Sequence, residues 1–266
     1  MPPKRLIAQI DELVAHYVEH KHLVSTFLGQ VLPPLLETKA LVEIAHSIRH
    51  RLKDPDHLRD KLIRKWRKCQ TDKVPFDITK DNLFVRVSDL AGIRILHLHT
   101  RQIEEIDRLL KLIFKEQQLK LIEGPFARTW DDFSKAFFEK IGMTVQQSDT
   151  MYTSVHYVLS SNSLTTKTCE VQVRTLMEEV WGEVDHKINY PHPTESVACR
   201  EQIRALARST SSTSSLVDSI FSSHDDFSQR SMIEQKELAA KSAPLKRTQK
   251  TRDRNSTKGM QNKRRQ

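Results

Sequence analysis

Residues 83–98 read LFVRVSDLAGIRILHL, and the reading of this stretch decides the fold. Ile93, Ile95, Leu96 and Leu98 are apolar and favour extended backbone, so a buried strand is expected over 87–98. Gly92 has no side chain, which lets a backbone or a ligand come close. Asp89 and Arg94 are the only charges from Ser88 to Leu98. A charge beside a buried strand needs a partner, an ion or a ligand. Pairing of the two with each other, or capping of neighbours, is the plain alternative.

Two further stretches extend this core. KTCEVQVRT (167–175) alternates: Cys169, Val171 and Val173 point one way, Glu170, Gln172 and Arg174 the other. Three polar residues in a row suit an edge or half-exposed strand, or an active site built on a rigid sheet. YTSVHYVLS (152–160) alternates in a similar way. Thr175 is placed to cap a helix in which Leu176, Val180, Val184 and Ile188 recur every four residues, and Pro191 and Pro193 close it.

Upstream, residues 5–50 read as helices. Leu6, Ile10, Leu13 and Val14 share one face, and Leu36, Leu41, Ile44 and Ile48 another, with Pro33-Pro34 interrupting between them. His16 and His20 are one turn apart, with His22 near. The sequence fixes no carboxylate-rich partner, and a solvated helical face is expected there. In HRLKDPDHLRDKLIRK (50–65), Asp54-Pro55 starts a helix, with Asp as N-cap and Pro at N1. Arg51 and Lys53 precede that start; His57, Lys61 and Arg64 follow at helical spacing. Cations around free N–H groups form an anion site, against the ordinary reading of a charged amphipathic helix.

Beyond the first strand, Ile103, Ile106, Leu109, Leu110 and Ile113 mark a helix, and 119–122 a short strand. Residues 124–150 are less regular, with a short helix around Phe133–Phe138. Residues 197–233 read as one or two amphipathic helices interrupted by STSSTSS (209–215).

The net charge of +9 is uneven. Residues 241–266 carry ten of the 43 Lys and Arg and one of the 34 acids, leaving 33 of each in the body. Polyanion binding, to RNA or the ribosome, is therefore an expectation for the tail, which reads as disordered. The apolar content of 38% permits a sizeable core. No apolar run reaches membrane-spanning length, and the N-terminus lacks the uncharged segment of a signal peptide. Three widely spaced Cys (69, 169, 199) suit the cytoplasm better than a disulfide framework. None of the six Gly forms a phosphate-cradling or dinucleotide loop, and there is no G-x-S-x-G elbow. Bound phosphates must then meet side-chain cations. Asp89 and Glu170 could share a hard cation such as Mg²⁺, with one of them taking a proton from a hydroxyl nucleophile. Tyr152 could stack a base. Together these amount to phosphoryl transfer.

The chain resembles the synthetase domain of the RelA/SpoT family over about residues 40–190. DLAGIRI (89–95), YTSVHYV (152–158) and EVQVRTLMEEVWGEVDHKINY (170–190) carry the resemblance, and RLKDPDHLRDK (51–61) looks like the family's ATP-side motif. The resemblance implies a stand-alone, synthesis-only enzyme that moves the β,γ-pyrophosphate of ATP to the ribose 3′-hydroxyl of GTP or GDP. It implies an α/β (α+β) fold: a mixed sheet flanked by helices, of the nucleotidyltransferase kind. It implies that Arg51 and Arg94 sandwich adenine, and that Lys53, Lys61 and Arg64 hold the ATP phosphates. Asp89 would ligate Mg²⁺, with Glu170 as general base and second ligand. Tyr152 would stack guanine, near Gln172, His186 and Asn189. His57 stands where the family usually has Ser on the ATP phosphates, and Met151 where it usually has Gly. The implied organisation is N-terminal helices (1–39), synthetase (40–195), C-terminal helices (196–235) and basic tail (236–266). Two alternatives accompany it: transfer to tRNA or an adenine nucleotide, and a non-catalytic RNA-binding regulator. His224-Asp225 resembles the pair of the family's hydrolase domain, but the other helical residues such a site needs are not apparent. Self-association is left open.

Overall fold

Asp54 and Pro55 behave as their chemistry dictates, and the fold can be built from that point. The computed structural model describes residues 2–148, 150–190 and 193–242. The chain divides into two units, Met1–Phe221 and Ser222–Gln266.

The elements of the first unit run in the order α1 (Lys4–Glu19), α2 (Lys21–Glu37), α3 (Lys39–Ile44), β1 (Ser47–Leu52), α4 (Pro55–Thr71) and α5 (Leu83–Arg86). There follow β2 (Ala91–His97), α6 (Gln102–Glu116), β3 (Lys120–Thr129), α7 (Asp132–Lys140) and β4 (Thr144–Gln147). Then come β5 (Ser154–Ser160), β6 (Thr168–Thr175), α8 (Leu176–Asn189) and α9 (Val197–Ser242), which crosses the division. Described alone, its segment from Ser222 is helical to Ser242 and exposes Phe227, Met232, Ile233 and Leu238.

The six strands form one mixed sheet in the order β1-β2-β6-β5-β3-β4. β2 and β6 run parallel; β1 with β2, and β5 with β6 and β3, run antiparallel. This is the expected mixed sheet with helices on its faces. Directly paired residues share a face. Ile93, Ile95, Val171, Val173, Val155 and Tyr157 therefore lie together, buried against Ile10, Leu13, Val24 and Leu35 of α1 and α2 and Ile106, Leu110 and Phe114 of α6. Arg49, Arg51, Gly92, Arg94, Glu170, Gln172 and His156 fall on the opposite face, where α8 lies against β2 and β6.

Several expectations are corrected. The strand expected over 87–98 begins only at Ala91; residues 83–86 form a helical turn and Asp89 sits in the turn before the strand. β6 is flanked by β2 and β5, which excludes the edge alternative for its polar face and leaves the half-exposed strand and the active-site readings. Residues 47–52, read as the end of a helix, are edge strand β1, since helix α3 stops at Ala45 in extended backbone. Pro33 and Pro34 lie inside α2. The carbonyls they leave without a donor belong to Gly29 and Gln30, both exposed and open to water. The strand expected at 119–122 runs on to Thr129, through register shifts and a cis Gly124–Pro125 bond, and β4 was not expected at all. Val180, Val184 and Ile188 are exposed, and α8 buries Glu178, Glu179 and Trp181 instead.

STSSTSS does not interrupt α9. Thr213 and Ser215 donate to the carbonyls of Ser209 and Ser211 four residues back, so the hydroxyls are satisfied within the helix. The expected tail boundary at 236 thus falls inside a helix, and the basic residues from 243 on lie outside the described residues.

Candidate active site

The parallel register sets Gly92 beside Glu170 and Arg94 beside Gln172; the antiparallel register sets Arg51 beside Gly92. A Cβ at Gly92 would meet no atom within 4 Å, so this glycine leaves the floor of a cleft open. The cleft encloses about 560 Å³ and is lined by Arg49, Arg51, Asp89, Arg94, Glu170 and Gln172, among others. Asp89 and Glu170, 81 positions apart in sequence, face the same space.

Asp89 is held by two ammonium groups. Lys53, the first residue past β1, reaches its Oδ2 at 2.8 Å, and Lys61 from α4 reaches Oδ1 at 2.7 Å. Burial pushes the carboxyl up, but Lys61 and Lys53 outweigh it and hold it at about 2. Burial pulls Lys53 below the ordinary lysine range, with Asp89 opposing. Tyr17 of α1 donates to the Lys53 carbonyl at 2.7 Å and so fixes the backbone where that lysine departs. α4 is set by the side chain of Asp54, which accepts from the amides of Asp56 and His57.

Glu170 lies in a tight polar frame. Its Oε1 is 2.8 Å from His156 Nδ1, and its Oε2 accepts from Gln172 Nε2 at 2.9 Å. Ser154 Oγ is 2.5 Å from His156 Nε2. Both contacts are satisfied with the proton on Nδ1, donated to Glu170, and the Ser154 hydroxyl donating to Nε2. Burial raises the Glu170 carboxyl, yet the hydrogen bond from His156, aided by Lys61, brings it below its usual value, so it is ionised at neutral pH. His156 was not singled out by the sequence reading. The signal was there: in YTSVHYV it falls on the alternation that β5 shares with Glu170.

The remaining expected residues divide into two places. Arg94 is bound to Glu179 (3.1 Å) and Glu183 (2.6 Å) of α8, while Arg51 at the strand edge is exposed. His57, Arg64 and His186 gather around Tyr190. His186 stacks on it at 4.5 Å, His57 meets it edge-on at 4.9 Å, and the Arg64 guanidinium lies 4.7 Å from the ring centre. Arg64, His186, Asn189 and Tyr190 line a second cleft of about 1100 Å³, with Met151, Arg200 and Arg204. Tyr190, also missed, is the centre of this group. His186 is lowered by burial and then by Arg51 and His57, which ties the two clefts electrostatically.

Tyr152 departs from the exposed ring that base stacking suggested. It is half-buried beside Trp130, Met151 and Trp181, with the Arg174 guanidinium 5.4 Å from its centre and its hydroxyl donating to Gln172. One ring face is therefore already covered.

Residues 50–195, more than half the chain, match the family described as the region found in RelA / SpoT proteins. The chain belongs to this family. Solved structures agree with the RelA/SpoT architecture. Small alarmone synthetase 1 from Bacillus subtilis is 14% identical with TM-score 0.53, over 81% of this chain and 99% of that one. The same synthetase bound to its product pppGpp gives 15% identity and TM-score 0.52, over 79% and 96%. A GTP pyrophosphokinase family protein from Streptococcus pneumoniae gives 18% and 0.52, over 83% and 95%. At these identities the likeness is one of fold. No curated protein sequence matches. Among the described residues of this RelA/SpoT chain, no helix is long and apolar enough to cross a membrane.

Proposed function

We propose that this chain is a pyrophosphokinase that transfers the β,γ-pyrophosphate of ATP to the 3′-hydroxyl of GTP or GDP, making (p)ppGpp alarmones. One observation carries the reading: two ionised carboxylates line one cleft, Asp89 held by Lys53 and Lys61, with Arg49, Arg51 and Arg94 in the same lining. Family membership supplies the reaction class, and the B. subtilis relative bound to pppGpp supports the product.

In this reading the 3′-oxygen of the acceptor attacks the β-phosphorus of ATP. The bond between the α,β-bridging oxygen and that phosphorus breaks, AMP leaves, and the hydroxyl proton goes to Glu170. His156 and Gln172 each hold one Glu170 oxygen, which fixes the direction of the base. Lys53, Lys61 and Arg64 neutralise the donor phosphates, and His57 stands at the start of α4 beside them. Arg51 and Arg94 offer guanidinium faces to adenine; Arg94 can keep Glu179 and Glu183 on its edge while its face stacks. We assign guanine to Tyr152, whose ring must leave its packing beside Trp181 and Arg174 to stack on a base, with Gln172, His186 and Asn189 on the acceptor side.

The donor set fits Mg²⁺: Asp89 and Glu170 offer hard carboxylate oxygens on one cleft, and substrate phosphates would complete the coordination. When bound, the ion would neutralise charge on the transferring pyrophosphate. The synthetase region is taken as 40–195, with helices 1–39 and 196–235 around it. The basic tail is assigned an electrostatic contact with RNA or the ribosome; its removal should flatten the salt dependence of that binding.

Incubating the full chain with labelled ATP and GTP, GDP, AMP or tRNA tests the proposal. Label on GTP or GDP is expected, and its loss in Glu170→Gln with the fold intact. Label on tRNA or adenine nucleotide alone would move the chain to that acceptor class. No transfer to any of the four would overturn catalysis and favour a regulator.

A further inference from the structure

Helix α1 ends in His16-Tyr17-Val18-Glu19-His20, two imidazoles one turn apart with a carboxylate between them. A ring nitrogen of each histidine and a carboxylate oxygen of Glu19 lie within 4.8 Å of one another. The two rings are 4.2 Å apart, and Phe84 of α5 backs them at 5.6 and 6.5 Å. His20 Nδ1 lies 2.9 Å from the His16 carbonyl and 3.8 Å from Glu19 Oε2; with the proton on Nδ1, Nε2 keeps its lone pair and a turn of the ring brings it to an ion. A backbone carbonyl orienting the imidazole is the usual second partner of a metal-bound histidine. The group opens onto a cleft of about 820 Å³ that Asp81 also lines. Lys80, which lines the same cleft, pairs with Glu12 at 3.3 Å.

We propose that His16, Glu19 and His20 form a binding site for a divalent transition metal ion of the zinc class. Two imidazoles and one carboxylate suit a borderline-soft ion and are poor for Mg²⁺ or Ca²⁺. Ligand distances of ~2.1 Å put tetrahedral donors ~3.4 Å apart. Glu19 is exposed, so rotation of its side chain can close the gap from the observed spacing. The site would act as a staple. His20 is both the C-cap of α1 and the N-cap of α2, and an ion on His16 and His20 would lock that junction. Tyr17, within the same turn, holds the Lys53 backbone. The carboxylates of the catalytic cleft play no part in this site, and its test does not depend on pyrophosphate transfer.

The experiment is Zn²⁺ calorimetry on the untagged full chain in excess Mg²⁺, which competes for carboxylate oxygens without competing for imidazoles. One ion per chain is expected in the wild type. Glu19→Gln and His16→Asn should each weaken binding by about tenfold or more, the least that loss of a metal's partner costs. Zn²⁺ should raise the thermal midpoint of the wild type and leave that of a His16→Asn/His20→Asn double variant unmoved. Glu19 is exposed, so its variant keeps the fold and remains informative. Cys69→Ser/Cys199→Ser should bind as the wild type does. The proposal is overturned if the wild type binds no Zn²⁺, if Glu19→Gln and His16→Asn bind unchanged, or if binding vanishes with the thiols.

Discussion

Asp89→Asn should cost stability that depends on pH in a calculable way. The Asp89 carboxyl falls from 3.8 to about 2 on folding. At 1.36 kcal/mol per pKa unit, that is worth ~2.4 kcal/mol at neutral pH. A depressed carboxyl gives its full contribution above its unfolded value and loses it as pH falls through the folded one. The contribution is thus complete above about pH 4 and fades toward pH 2. Asn also leaves Lys53, whose side chain is 8% exposed, without its counter-charge. Stranding a buried charge costs ~3–5 kcal/mol when a partner is deleted. Asn keeps an oxygen for Lys53, and Lys61 is partly in solvent, so the expected loss at pH 7 is ~2.5–4 kcal/mol. Urea unfolding of wild type and variant, followed by circular dichroism from pH 7 down to pH 3, reads both quantities. Equal midpoints at pH 7, or a gap as wide at pH 3 as at pH 7, would refute the reasoning.

Three further outcomes follow from contacts described above. His156→Leu should lower kcat ~10²-fold, as misplacement of a reacting group does, with KM little changed. His156→Asn, which keeps an N–H toward Glu170, should recover part of it; equal rates in the two variants would argue against a positioning role. Glu178 is pushed up to about 7 by burial, chiefly, with the nearby Asp131 adding. A raised carboxyl gives its stability below the unfolded value and loses it as pH rises, so Glu178→Gln should be more stable than wild type by up to ~3 kcal/mol at pH 8 and equal to it at pH 4; identical unfolding midpoints at pH 8 contradict this. Gly124 has φ +90, and a Cβ there would lie 2.2 Å from the His156 carbonyl oxygen. Gly124→Ala should therefore cost ~2 kcal/mol or more in urea unfolding, and an unshifted midpoint would show that β5 yields easily.

What could be read in the sequence was local. Asp54-Pro55 and Thr175 announce helix starts because a cap needs only its own side chain and the next few amides. The alternation of 168–175 survives because a period of two is fixed by the backbone. β1 was missed because SIRHRL becomes a strand through pairing with residues 39 to 49 positions away. Gly124–Pro125 hid the length of β3, since a strand interrupted by bulges looks like a loop in sequence. The apolar repeat of α8 pointed to the wrong face because Arg94 and Arg174 draw Glu179 inward. Asp89 and Glu170 were legible as carboxylates and line one cleft, although only Glu170 lies on a strand and Asp89 sits in the turn before one. The lysine clamp on one and the His156–Ser154 relay behind the other were not, because side-chain partners depend on packing that no spacing encodes.

The pairing of Asp89 with two ammonium groups couples the arrival of metal and nucleotide. The cleft already carries its own counter-ions, so a lone divalent ion must evict lysines, and a lone triphosphate must pull them from an anion. In the proposed reaction a joint visitor does both exchanges at once: the ion takes the aspartate while the phosphates take the lysines. Each guest therefore smooths the other's entry, by a factor that reads the same whichever is titrated first.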